Sequence, residues 1–370
     1  MVKVIRGLGV IFVLLVTLSA CAQEAVVDQD IYPGKIVSIT SDELKELDTS
    51  GGGYQQRIQE ADVTLLKGPF KGETVKVINT MDQMLAFDIE LFEQRQIYVM
   101  MEYNEDGSIN HGLVYRYRRD IYIYILIAVF FALMVLVGGW EGFRTLVTLV
   151  LTLVGVYYML IGIAKGGDPV LLSVIVCIVV AVVTMFLVAG FNRKAIAAII
   201  GTLSGVLISG IIAMIISKYA VLTGLGTQEA QMLMFSQGHM EFDFSKILFA
   251  SILLGTLGAV MDVCISISSA ISEITEANPF MLTKDLFRAG MNIGRDIMGT
   301  MANTLILAYV GTSIFLILVF FMNGIPYFDI INMDAVATEI VRAVGGTIGL
   351  ILCIPLTAYV AALLEKKKFN

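Results

Sequence analysis

About seven long apolar runs fill the second two-thirds of the chain, and a polar, alternating stretch of about a hundred residues precedes them. The runs are Ile121 to Val137, Thr145 to Ile163, Val170 to Val188, Ala195 to Ile216, Ile247 to Val263, Asn303 to Met322 and Ala343 to Leu364. Each has about the length that crosses about 30 Å of hydrocarbon. A backbone in lipid must bond its amides internally, so the pattern predicts helices.

The stretch from Ala22 to Asp120 has no such run. Gly34 to Ile39 reads as a strand. Val63 to Leu66 and Thr74 to Ile78 flank the loop Lys67 to Gly72, and Gln96 to Met100 and Leu113 to Tyr117 flank the turn Asn104 to Ser108. Gly51-Gly52-Gly53 reads as a flexible loop. Five short strands in this length predict a small barrel, in an OB-like version among others. Its aromatics are not interleaved with a basic stripe, so a protein-contact or spacer domain is expected rather than an oligomer-binding one. His111, alone in a turn, reads as a surface residue and not as a metal ligand.

Ahead of this domain, Lys3 and Arg6 precede the short apolar segment Leu8 to Val16, and Leu18-Ser19-Ala20-Cys21 fits a lipobox. Two alternatives stay open: a signal segment cleaved before a lipid-modified Cys21, or an uncleaved first span. Either one exports the β-rich domain. The expected organisation is therefore a targeting segment (1–21), an extracytoplasmic β-rich domain (22–120) and a polytopic all-α membrane bundle (121–370).

Composition sharpens this. Hydrophobic residues make up 57% of the chain and charged ones 15%, against about 25% in soluble domains, too few to clothe a water-facing surface of this size. The 34 glycines suit close helix packing in lipid, and Gly201-x-x-x-Gly205 and Gly345-x-x-x-Gly349 read as packing faces. A net charge of −7 gives no reason to expect nucleic acid. Cys177, Cys264 and Cys353 lie in apolar runs without zinc or redox spacing, and read as packing residues.

Charge also orients the bundle. Alternate connections carry Arg144, then Arg193 and Lys194, then Lys284, Arg288 and Arg295, then Lys366, Lys367 and Lys368. The opposite connections carry Asp168, Glu229, Glu241, Asp243, Asp329, Asp334 and Glu339, with few basic residues. The positive-inside rule puts the C-terminus in the cytoplasm and the β-rich domain outside, which requires an odd number of spans after it. The expected location is the plasma membrane of a bacterium.

The candidate chemistry lies between Leu257 and Tyr309. Asp262, Ser266, Ser269 and Glu273 follow at helical steps on one run. Asn292, Asp296, Thr300 and Asn303 do the same on the next, beside Arg295. An ionised carboxylate inside a bilayer costs a few kcal/mol or more unless paired or solvated. Asp262 is therefore expected to be protonated, bonded across to Asn303 or Thr304, or in contact with water. The stripes read either as a polar relay or as interhelical glue. Phe280 to Ile293 reads as an amphipathic helix along the cytoplasmic face.

At these residues the chain resembles the YibE/F family of bacterial membrane proteins. The matching segments are Leu257-Gly258-Ala259-Val260-Met261-Asp262-Val263 with the Ser-rich run to Glu273, and Gly294-Arg295-Asp296-Ile297-Met298-Gly299-Thr300-Met301-Ala302-Asn303-Thr304-Leu305. The resemblance extends over most of the chain and implies a membrane location without assigning a catalytic role. A looser similarity is to the Sec-translocase accessory subunits, where an Asp-bearing helix precedes an amphipathic helix and a Thr-rich span.

The functional expectation is a permease or proton- or ion-coupled transport component using Asp262. The alternative is a structural or regulatory membrane protein whose exported domain binds a partner. There is no Gly-x-Ser-x-Gly, His-Glu-x-x-His or phosphate loop, so an enzyme is not expected. No cofactor or metal is expected either; His239 beside Glu241 and Asp243 is a weak cation candidate. Expected partners are membrane lipids and a protein at the exported domain, with a homo- or hetero-oligomer left open.

Overall fold

The computed structural model describes residues 30–47, 54–81, 88–104, 109–236 and 242–366. The Cys21 lipobox, the Gly51–Gly53 loop, most of the Asn104–Ser108 turn, His239 with Glu241, and Lys367 with Lys368 lie outside the described residues. The chain divides into two compact units, Met1–Gly139 and Trp140–Asn370.

The first unit holds a closed five-stranded barrel of β1 (Ile31–Leu47), β2 (Tyr54–Leu65), β3 (Thr74–Met81), β4 (Gln96–Tyr103) and β5 (Ile109–Tyr117). The order around the barrel is β1-β2-β3-β5-β4, with β4 closing onto β1 and only the β3–β5 pair parallel. Alternation along β3 turns Val75, Val77 and Met81 inward. Val75 and Val77 share a core with Ile36, Ala61, Val63, Leu65, Leu91, Ile97, Val99 and Met101. The expected strands are all present, but β1 and β2 run much further than their apolar parts. Their added lengths, onward from Ser41 and back to Tyr54, pair with each other as a polar hairpin. Backbone pairing there is maintained without an apolar face, so hydrophobic patterning could not reveal it. Gly34 and Gly112 allow strands to close: a methyl at the first would collide with Val63, and one at the second with Val99.

The interior also buries two amides. Gln59 accepts the Leu91 N–H at 2.8 Å through Oε1 and donates to Asp42 Oδ2 at 3.1 Å. Asn79 donates to the Ile89 carbonyl. Each buried polar group thus replaces the water it lost.

Helix α1 (Asp120–Ala164) merges the first two expected runs. The expected connection is reduced to one non-helical residue, Gly139, at φ 55° and ψ −128°, a conformation glycine adopts without the clash a Cβ would bring.

The second unit continues with α2 (Pro169–Ala189), α3 (Arg193–Tyr219), α4 (Gln228–Ser236), α5 (Phe244–Ala277), α6 (Thr283–Thr312), α7 (Ile314–Asn323), α8 (Tyr327–Asn332) and α9 (Asp334–Lys366). Among the described residues five helices, α1, α2, α3, α5 and α9, are long and apolar enough to cross a bilayer. The α6–α7 pair passes the same test as one span bent by 61°. The sixth run, expected as a straight helix from Asn303, therefore belongs to a helix that starts at Thr283. Arg295 and Asp296 interrupt the hydropathy of this segment without interrupting its backbone, so the expected amphipathic helix and the first half of the sixth run are continuous. The bend falls at Gly311-Thr312-Ser313, residues that support a helix poorly.

Side chains cap the helices at the points where apolar runs begin. Asp168 accepts the N–H groups of Val170 and Leu171, Asn192 that of Ala195 and Asp243 that of Lys246. The core joins α2, α3, α5 and α9 through Val180, Ala198, Val260, Cys264, Ile267, Cys353 and Ala358. Alanine and cysteine are interspersed there with Val, Leu and Ile, and glycines bring the helices close. A methyl on Gly205 would come within 2.7 Å of Cys353 Cβ, and one on Gly349 within 2.6 Å of the Gly205 carbonyl. The Gly201–Gly205 face is thus used for close packing, as expected. On α9, Gly349 serves, but nothing lies within 4 Å of a methyl on Gly345, whereas one on Gly346 would meet Thr256 Oγ1 at 2.9 Å. The three buried cysteines are free thiols in this packing.

Candidate functional site

The ends of the second unit differ chemically. At one end, Asp168 holds Lys246 at 2.9 Å and Asp334 accepts from the amide and hydroxyl of Thr223. At the other, Arg193 donates to the Leu364 carbonyl and Lys366 to that of Pro279. The Lys246 ammonium, followed by the α2 amides, holds the Asp168 carboxyl below the usual carboxylate range. Acidic loops thus collect at one end and basic ones at the other.

The polar residues on α5 lie between these ends. Asp262 stands about 27 Å from the start of that helix and about 22 Å from its end, counting 1.5 Å per residue. The inward face of α5 is made by Leu253, Leu257, Val260, Val263, Cys264, Ile267 and Ile271, all buried. Asp262, Ser266 and Glu273 are exposed and Ser269 half-buried; they lie about half a turn away. The same holds on α6. Leu286, Gly290, Gly294 and Leu305 face the bundle, while Asn292, Arg295, Asp296, Thr300 and Asn303 are exposed.

The expected arrangement, two stripes turned toward each other, is therefore corrected: both point away from the core. Asp262 is not buried inside the bundle and makes no bond to Asn303 or Thr304. Among the described residues the side chains of Asp262, Glu273, Asn292, Arg295, Asp296 and Asn303 form no hydrogen bond or ion pair. Ser266 and Thr300 return their hydroxyls to their own helices, at the carbonyls of Asp262 and Ile297. The cause is steric. The two helices pack through glycine, where a methyl on Gly290 or Gly294 would come within 2.6 or 3.2 Å of Ile271 or Ile267. That close face leaves no room for a polar layer.

The stripes are nevertheless level with each other. Gly290 lies against Ile271, Gly294 against Ile267, and Tyr309 reaches Gly255. Along these antiparallel helices Thr300 falls level with Asp262, Arg295 with Ser266, Asn292 with Ser269 and Arg288 with Glu273. The outward faces of the two helices are thus polar over the same range of heights.

A second polar group escapes sequence reading. Glu339 and Arg342, near the start of α9, pair at 2.6 Å. Arg342 also donates to Ser251 Oγ at 3.3 Å and lies over the Tyr309 ring. Hydropathy puts both ahead of the seventh run, in a loop. Helix α9 instead begins at Asp334, so their i,i+3 spacing acts on a helix. Among the described residues no group of three or more metal-binding side chains occurs. His111 pairs with Glu102 across β4 and β5.

A small β-barrel followed by several long apolar helices defines a membrane protein with a globular N-terminal domain. Residues 126–367 match the YibE/F-like protein model and residues 29–115 the YibE/F family N-terminal domain, and the chain belongs to the YibE/F family. No curated protein and no solved structure matches it.

Proposed function

We propose that this chain is a permease or a proton- or ion-coupled transport component of a bacterial plasma membrane, working without enzymatic chemistry. The observation that carries this is the unpartnered polar surface of α5 and α6, with Asp262 at half the length of a span. A charged stripe at that depth is too costly to leave against acyl chains, so it lines water or meets protein. Asp262, Ser266 and Ser269, continued by Asn292, Asp296, Thr300 and Asn303, offer a proton or cation successive oxygen ligands. Glu273 and Arg295 stand nearer the basic end.

Seven crossings fit this reading. Gly139 separates helical lengths of about 28 and about 38 Å, each enough for one crossing. With α2, α3, α5, the bent α6–α7 pair and α9 the number is odd. The basic end then faces the cytoplasm and the barrel the outside. Cys21 is the lipid attachment point in this reading. The β1-β2-β3-β5-β4 order supports the OB-like form of the barrel.

The test is flux in proteoliposomes under an imposed proton or sodium gradient. The native chain is expected to dissipate one of them faster than empty vesicles, and Asp262→Asn, reconstituted to the same amount, to behave as empty vesicles. Equal flux from the variant removes the relay.

The alternative is a regulatory protein whose barrel binds a partner, favoured by Leu44 and Phe92, apolar side chains exposed on the barrel unit. Deleting residues 23–119 abolishes the phenotype in that case, and a truncated bundle that still moves ions excludes it.

A further inference from the structure

The bend between α6 and α7 leaves a cavity of about 570 Å³ beside α9. Ile306 and Val310 on α6, Ile317 and Phe320 on α7 and Ile340 on α9 form much of its wall. Val310, Ile340 and Val344 line it and are exposed, so it opens on the outside of the bundle and not into its core. Its volume and apolar lining are those of a small-molecule site. None of its lining residues belongs to the stripes through Asp262 and Thr300.

One group in this cavity lacks what its burial demands. Glu339 pairs with Arg342 through Oε1 at 2.6 Å, but its Oε2 is buried and has no hydrogen-bond partner among the described residues. An acceptor left unbonded away from water is costly, and native proteins keep few of them. Glu339 lines the cavity together with Tyr309 and Ser313, so a molecule seated there can supply the missing donor. Charge narrows its chemistry. Arg342 already neutralises the carboxylate and lies over the Tyr309 ring. A ligand cation would face that guanidinium, and a ligand anion would face the unbonded carboxylate oxygen. A neutral hydroxyl meets neither repulsion. The rest of the wall is apolar and opens where the bundle meets acyl chains, so the body of the molecule is a hydrocarbon chain.

We propose that this cavity binds an uncharged single-chain lipid with a hydroxyl head, of the monoacylglycerol kind. A head hydroxyl donates to Glu339 Oε2, and the chain lies along Ile306, Ile317 and Phe320. The site goes beyond the transport reading and does not depend on it: a chain that moves no ion binds the lipid equally well.

The test uses the full-length protein in phosphatidylcholine nanodiscs, with a monoacylglycerol carrying a diazirine in its acyl chain as the probe. After illumination, adducts are mapped by peptide mass spectrometry. They are expected at Ile306, Ile317 and Phe320 well above the level at Leu153, an exposed apolar residue on α1. Unlabelled monooleoylglycerol is expected to lower the cavity adducts several-fold. Methyl oleate, the same chain without a hydroxyl, is expected to leave them unchanged. Ala343→Phe, which puts a ring into the cavity, is expected to remove them. A double variant, Glu339→Leu with Arg342→Leu, replaces the ion pair by apolar side chains, an exchange that proteins tolerate. It is expected to stay monodisperse and to bring the cavity adducts down to the Leu153 level.

Cavity adducts no stronger than those at Leu153 in the native protein overturn the proposal. Equal displacement by methyl oleate also overturns it, and assigns the cavity to bulk hydrocarbon with water at Glu339. Full labelling of the double variant removes Glu339 as the holder of the head, and the choice of ligand falls with it. Flux in the vesicle assay decides the transport reading separately, so failure of one leaves the other standing.

Discussion

An exposed aspartate means opposite things in the two units. In the barrel, Asp42 is exposed, in water, and held by Arg57 at 2.6 Å, which also reaches Glu90 at 2.8 Å. The barrel's inside is apolar and its few interior amides, Gln59 and Asn79, are bonded. The bundle inverts the surface and not the core. Its interior is also apolar, but its outside is apolar too, with Leu153, Leu171, Ile211, Phe315 and Phe321 facing outward. Against that background the exposed Asp262 and Arg295 are the anomaly. Exposure has no meaning until the solvent is named: in water it satisfies a charge, and in hydrocarbon it demands a partner.

The contrast is tested most strongly by making one substitution in both units. Asp262→Asn is expected to remove ion flux altogether in the vesicle assay, with the protein still folded and monodisperse. Asp42→Asn, the same chemistry on the water-facing barrel, is expected to leave flux at the native level.

Packing gives the next largest effect. A side chain on Gly201 must displace Thr357, whose Oγ1 already occupies the space its first carbon would take. Gly201→Ala is expected to cost about 1–3 kcal/mol, read as a lowered Tm in detergent, while Gly345→Ala, where nothing lies within 4 Å of the added carbon, stays near native. The barrel's counterpart is Gln59→Ala. It leaves the buried Leu91 N–H without an acceptor and is expected to destabilise the barrel by about 1–3 kcal/mol, measured by denaturant unfolding or by protease sensitivity confined to the barrel.

The smallest effect concerns acid. The Arg57 guanidinium holds the Asp42 carboxyl below the usual carboxylate range, helped by Gln59. Since its folded pKa lies below the unfolded value of about 3.9, its stabilisation is complete above that value and is lost as pH falls through the folded one. The native barrel is expected to lose slightly more stability than Asp42→Asn between pH 5 and pH 3. The pair is partly exposed, so the difference is small. Equal acid sensitivity in both proteins would assign the loss to other carboxylates.

Much of this architecture is legible as period. The apolar runs announce the membrane helices, and alternation announces the cores of β2 to β5. The Gly201 and Gly205 spacing marks a real contact. Other features required information that spacing does not contain. Arg295 and Asp296 lower hydropathy without breaking a helix, so hydropathy alone cuts α6 in two. The polar hairpin of β1 and β2 has no apolar face to detect. The stripes through Asp262 and Thr300 are visible as stripes, but periodicity fixes only which residues share a face. Where that face points depends on Gly290 and Gly294, whose lack of a side chain draws α6 onto α5 by the opposite side. The Glu339–Arg342 pair is hidden because α9 begins before its apolar run.

The outward face at Asp262 must, above all, be sheltered from acyl chains. A nitroxide or fluorophore attached at Ser266→Cys, in full-length protein in bilayers, measures this through collisions with a lipid-dissolved quencher. The quenching should be weak there and strong at Ile175→Cys, an exposed apolar position on α2, away from both stripes. Quenching at position 266 as strong as at position 175 would place the charged stripe in open lipid and contradict the account.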